Sequence, residues 1–270
     1  MSTLAPALRA RRRVTTTPRA GWRDVLIALT AADLQVRYGR GPGRLVKWLL
    51  DPFALVGVLL VLVTVVLDRP GAAPGLSLAC AVVPFQLIVM TVLNAMSAVT
   101  TRRSIILNMD FERSLIPLSA ACTEFAAFGP SAILLAGMMA VYGIVPTLAL
   151  LWLPVVLAVS ALVVASAAYA AALFGLWFPE LRSVGVSFAR TLFFVAPGIV
   201  ALDQIPAPVD DWIKLNPLSG LFEGFRAVLL YGEVPLAWTL LVPAAAAGLL
   251  LAVAVPLFRR DQAHFAKVLG

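Results

Sequence analysis

Six long apolar stretches, at 46–67, 76–101, 117–143, 148–177, 184–202 and 235–258, constrain this chain more than any other feature of its sequence. Each meets or approaches the roughly 20 apolar residues that a helix needs to cross a bilayer. Residues of apolar type make up 61% of the chain and charged ones only 13%, which excludes an ordinary soluble domain. The expected architecture is an all-α integral membrane protein with six transmembrane helices. Asp51 and Arg190 lie near the ends of their stretches, whereas Glu124 lies about two turns inside the third. A carboxylate at that depth must be paired, protonated or next to a cavity.

An even number of spans places both termini on one side. That side then carries 18 of the 21 lysines and arginines, and the other holds Arg69, Lys214 and Arg226 among six acids. The excess of basic residues predicts cytoplasmic termini. The net charge of +7 is therefore first a topology signal, and no nucleic-acid partner is expected. Cys80 and Cys122 both fall in apolar stretches, which argues against a disulfide framework or a metal site. Residues 1–21 form a basic arm without the apolar core of a signal peptide, and 259–270 form a cytoplasmic tail.

Between the arm and the first span, Trp22 to Tyr38 mixes polar and apolar residues. Trp22, Val25, Leu26, Leu29, Ala32 and Val36 share one helical face, which suits a helix lying at the membrane interface. Asp33 interrupts that face. Gly39 to Gly43, with Pro42, should end the helix and turn the chain into the first span.

The second span carries Gln86, Asn94, Ser97 and Thr101 on one stripe, with Met90 among them. Such a stripe faces other helices or a water-filled path, because lipid cannot satisfy it. The following segment, Arg102 to Arg113, alternates charge with Ile105, Ile106, Leu107, Met109 and Phe111. It is too apolar for a solvated loop; it fits either a partner's groove or the chain's own bundle. Leu215-Asn216-Pro217-Leu218 then breaks the apolar pattern before a short amphipathic helix, 219–226, and the last span.

In order, these stretches resemble the membrane subunit of ABC-2 type ABC exporters, in the branch that exports O-antigen, teichoic acid and related polysaccharides. The resemblance rests on Asp33-Leu34-Gln35-Val36-Arg37-Tyr38, Leu115-Ile116-Pro117-Leu118-Ser119, Phe178-Pro179-Glu180-Leu181-Arg182, Leu215-Asn216-Pro217-Leu218 with Glu223 and Phe225-Arg226, and Phe258-Arg259-Arg260 with Phe265-Ala266-Lys267-Val268-Leu269. The Gly39-Arg40-Gly41-Pro42-Gly43 run departs from the branch's usual pattern, as does a coupling region with Met109, Asp110 and Glu112.

The resemblance implies a homodimeric channel bound to two copies of a cytoplasmic ATPase. ATP and Mg would be held by that partner, because this chain has no Gly-rich loop ending in Gly-Lys-Ser or Gly-Lys-Thr and no cofactor is expected in it. Ile105, Ile106, Leu107, Met109, Phe111, Glu112 and Arg113 would form the coupling helix on the ATPase. Trp22, Asp33, Arg37 and Tyr38 would belong to a gate helix, with Arg37 and Tyr38 meeting the anionic head of a lipid-linked glycan. The region of Asn216, Pro217, Glu223 and Arg226 would form short re-entrant external helices before the last span.

For a sugar polymer, Phe53, Phe85, Trp177, Phe193 and Phe194 are candidate channel-lining aromatics, with Gln86 and Asn94 as hydrogen-bonding partners. The high alanine, valine and arginine usage suggests a GC-rich genome, and an envelope galactan as the polymer. A permease of the same architecture for a drug, lipid or small solute is the alternative. An intramembrane enzyme fits less well, since the single histidine, His264, lies in the tail and no nucleophile signature accompanies the external acids.

Overall fold

The computed structural model describes residues 21–41, 43–61, 73–108, 111–196, 198, 202 and 209–262. The basic arm, Met109 and His264 lie outside the described residues, as does the end of the first expected span. Among the described residues the structure is helical and contains no β-strand.

Those residues form, in order, the α-helices α1 Trp22–Tyr38, α2 Gly43–Val61, α3 Pro74–Thr101, α4 Arg103–Asn108, α5 Leu115–Ala127, α6 Gly129–Val141, α7 Leu153–Trp177, α8 Arg182–Val195, α9 Val209–Lys214, α10 Pro217–Arg226 and α11 Ala237–Asp261. Among the described residues, four segments are long and apolar enough to cross a membrane: Pro74–Thr101, Leu115–Val141, Leu148–Trp177 and Ala237–Asp261. They correspond to the second, third, fourth and sixth expected spans. The first and fifth are represented by α2, which carries Arg44, Lys47 and Asp51 in its first half, and by α8, whose 14 described residues are too few to cross.

The third span is two helices laid end to end. Pro130 follows the junction at Phe128 and Gly129, where its missing N–H cannot extend the α5 ladder. α3 is the centre of the bundle and is buried over most of its length, whereas α11 faces outward along most of its own. Small residues set the closest approaches. A Cβ on Gly175 of α7 would stand 2.1 Å from the Met96 carbonyl oxygen of α3, so these two backbones touch. On Gly220 of α10 a Cβ would stand 2.9 Å from Pro243 of α11.

α1 packs on α5, burying Leu29 and Tyr38 while Trp22 and Val36 stay exposed. It ends at Gly39, whose φ of 80° suits glycine, and the Gly39 amide donates to the Gln35 carbonyl at 2.8 Å. The Asn216-Pro217 pair starts α10 by ordinary helix chemistry. Asn216 is the N-cap, accepting from the Leu218 amide at 3.0 Å, and Pro217 occupies the first turn, where no N–H is needed. Instead of lying flat on a surface, α10 buries eight of its residues, from Leu218 to Arg226, against α3 and α11. Both cysteines are free, with Cys80 fully buried.

Candidate functional site between α1 and the bundle

Two ion pairs join α1 to the bundle. One terminal nitrogen of Arg37 reaches both carboxylate oxygens of Glu124 on α5, at 2.7 and 2.8 Å. The Asn94 amide of α3 donates to the same carboxylate. One turn earlier on α1, Asp33 pairs with Arg102 beyond the end of α3 and accepts from the Thr123 hydroxyl at 3.3 Å. Arg102 also donates to the Ile116 carbonyl at 3.3 Å. Residues 33 and 37 lie one turn apart on one face of α1, and Thr123 and Glu124 are neighbours on α5, so both bonds form along one contact line.

Glu124 is 3% exposed and Arg37 28%. Thus the carboxylate that stood out in the sequence is paired, and it also borders a cavity. That cavity, of about 460 Å³, lies between α1, α3 and α5. Its wall includes Asp33, Arg37, Asn94, Ser97, Arg102 and Glu124. The polar stripe on the second span therefore opens onto a space rather than packing dry: Met90, Asn94, Ser97 and Thr101 all line it. Gln86 lies one step farther along α3, on a smaller cavity of about 40 Å³ with Tyr38, Trp48 and Glu124. Arg37 sits 5.3 Å from the Tyr38 ring centre, Tyr38 packs on Trp48 at 5.9 Å, and the Trp48 indole donates to the Ala127 carbonyl at 3.0 Å.

The remaining expected site residues fall elsewhere. Ile106 is buried and Phe111 half-buried against Tyr169 and Phe258 of the chain's own bundle, Ile105 and Arg113 are half-buried, and Glu112 is exposed. Glu112 pairs with Arg259 at 3.2 Å, and Arg113 donates to the Gln262 carbonyl at 2.7 Å, so this segment is tied to the end of α11. Of the apolar side chains expected to seek a partner's groove, Ile106 and Phe111 thus find cover at home. The Leu107 side chain lies outside what the structure describes.

Phe53 is exposed, Phe85 packs edge-on against Phe222 at 6.5 Å, and Trp177 donates to Asp261 at 2.7 Å. The side chains of Phe193 and Phe194 also lie outside what the structure describes. Phe53, Phe85 and Trp177 are not brought to the α1 cavity.

Glu223 and Arg226 form a second polar centre at the other end of α3. Arg226 is fully buried, pairs with Glu223 at 2.7 Å and donates to the Ser77 and Gly198 carbonyls at 3.2 and 3.1 Å. Glu223 also accepts from the Leu202 amide at 3.1 Å. Sequence reasoning missed Arg102 and Thr123 at the α1 cavity. A signal for Arg102 exists, since it directly follows the polar stripe, but its partner lies 69 residues away.

No family model matches the chain. Similar proteins do exist among curated ones. An O-antigen export system permease protein of Myxococcus xanthus is 25% identical over 249 residues, covering 91% of this chain and 95% of that protein. Two proteins of the same description from Klebsiella pneumoniae are 24% and 23% identical, over 77% and 78% of this chain. The chain resembles O-antigen export permeases. The resemblance runs over nearly the whole length, agrees with the branch that the ordered motifs single out, and together with the four apolar helices makes this a multi-pass membrane protein.

Proposed function

We propose that this chain is the channel-forming membrane subunit of an ATP-driven exporter that moves a lipid-linked envelope polysaccharide, such as a galactan, across the cytoplasmic membrane. The similarity to O-antigen permeases over 91% of the chain carries this reading. In this reading the chain is not itself an enzyme. Two copies form the channel, each with six spans and cytoplasmic termini, and each binds one ATPase subunit that holds ATP and Mg. α1 serves as the gate helix beside the lipid-linked substrate. The surface of 103–113, tied to α11 through Glu112 and Arg113, receives the ATPase. α10, with Asn216 as its cap, is the external re-entrant helix.

Co-purification with a candidate ABC ATPase subunit of the same host, followed by ATP hydrolysis with and without lipid-linked glycan from that host, tests the proposal. Stimulation by the glycolipid is the expected result. A stable complex indifferent to glycolipid would move the substrate to a small solute, and no complex at all would overturn the reading.

A further inference from the structure

From the cavity between α1, α3 and α5, we infer that this chain recognises the neutral, hydroxyl-bearing part of its ligand, a sugar ring, with Asp33, Asn94 and Ser97 as acceptors. The inference rests on the export reading and specifies what that site selects. The decisive observation is which atoms in the wall are already committed. Arg37 holds Glu124, and Arg102 holds Asp33 together with the Ile116 carbonyl. One N–H of the Asn94 amide is committed to Glu124, and the Ser97 hydroxyl donates to the Asn94 backbone carbonyl at 3.2 Å. Among the described residues, no donor reaches Asp33 Oδ1 or Asn94 Oδ1, and Ser97 Oγ keeps its lone pairs. The wall therefore keeps acceptors at Asp33, Asn94 and Ser97 beside the second Asn94 N–H and the Thr101 hydroxyl, a set that suits hydroxyl groups, which both donate and accept.

Charge narrows the class further. Two guanidinium groups disfavour a cation in this space, and two carboxylates disfavour an anion. A phosphate that drew Arg37 away from Glu124 would leave that carboxylate, 3% exposed, as an unpaired buried charge, and one that shared Arg37 would lie against the same negative charge. A sugar hydroxyl needs no such exchange, because it can donate to Asp33 Oδ1 while both ion pairs stay closed. About 460 Å³ is ample for one pyranose ring. Arg37 thus acts as a positioning residue that holds Glu124 and, through it, the Asn94 side chain, instead of contacting the phosphates of the lipid carrier.

The test uses the full chain in lipid nanodiscs and two separate probes. One is butyl β-galactoside below micelle-forming concentrations, which has hydroxyls and no phosphate; the other is farnesyl diphosphate, which has phosphates and no sugar. Saturation-transfer difference NMR reads contact of each probe with the protein. The galactoside should bind, Asp33→Asn should weaken it about tenfold, and Ser97→Leu, which fills the cavity without touching either ion pair, should abolish it. Farnesyl diphosphate should show no contact that Ser97→Leu removes. An unchanged thermal unfolding midpoint for Ser97→Leu identifies its loss of binding as a local effect.

Galactoside binding that Ser97→Leu leaves intact, or farnesyl diphosphate binding that it abolishes, would overturn the inference. So would the absence of galactoside binding in a preparation whose coupled ATP hydrolysis responds to glycolipid, a result that leaves the export reading standing. Hydrolysis that ignores glycolipid would count against the export reading instead.

Discussion

The two ends of α3 carry the same chemistry in opposite circumstances. At its start, Arg226 and Glu223 make a sealed centre in which the guanidinium is wholly buried and bonded to two backbone carbonyls as well as to its carboxylate. Toward its other end, roughly 26 Å away by the helical rise from Ser77 to Asn94, Arg37 and Glu124 make a pair whose carboxylate is buried but whose guanidinium is 28% exposed, beside a cavity of about 460 Å³. An arginine–carboxylate pair is therefore not by its nature either a structural pin or a binding element. What separates the two is whether the surrounding groups saturate it and whether space adjoins it. The first holds together α10, the beginning of α3, Gly198 and Leu202. The second leaves acceptors uncommitted.

Breaking the sealed centre should cost most. Arg226→Met strands the Glu223 carboxylate and two carbonyls away from water, and the expected loss is about 3–5 kcal/mol. Its thermal unfolding midpoint should fall further than that of any variant at the open pair or at the surface. The double variant Arg226→Met with Glu223→Gln should recover part of that loss; no recovery would mean that the carbonyl bonds, rather than the ion pair, dominate the centre.

The open pair should respond asymmetrically. Arg37→Ala leaves a carboxylate that is 3% exposed without its cation, at a cost of about 2–4 kcal/mol. Glu124→Ala leaves an arginine that can reach water through the cavity, at about 1–2 kcal/mol. Equal losses in denaturation of the two variants would erase the distinction between a sealed and an open site.

The pair between Glu112 and Arg259 supplies the lower limit, since the two side chains are 50% and 59% exposed. Neutralising either should change stability by less than about 1 kcal/mol, and added salt should remove even that. A larger effect that persists in high salt would indicate that the tie between the 103–113 region and α11 is mechanically important.

Much of the local structure was legible because its causes are local. The cap at Asn216, the proline after it and the glycine that ends α1 act within a few residues. Glu124 and the stripe through Asn94, Ser97 and Thr101 were conspicuous for the same reason: polar groups at membrane depth require partners wherever the chain goes. Arg226 shows the limit. By its place in the chain it reads as one of a few charges outside the membrane on an amphipathic helix, yet α10 is inserted into the bundle and Arg226 is among its most buried side chains. Ile106 and Phe111 show it again, because an apolar run between two spans suits a partner's groove as well as the chain's own core.

By itself the sequence determined that this chain is helical and crosses a membrane, where several helices start and stop, and which polar residues needed an explanation. Hydropathy, capping and the cost of a buried charge depend on residue type and near neighbours, so one dimension suffices for them. Only the tertiary structure decided that Glu124 meets Arg37, that Asp33 meets Arg102, and that a cavity lies between those pairs while Arg226 is sealed. Those partners are 87 and 69 residues apart, and their meeting depends on how α1 lies across α3 and α5. Helix packing sets that crossing through many small contacts, and no single stretch of the chain contains them.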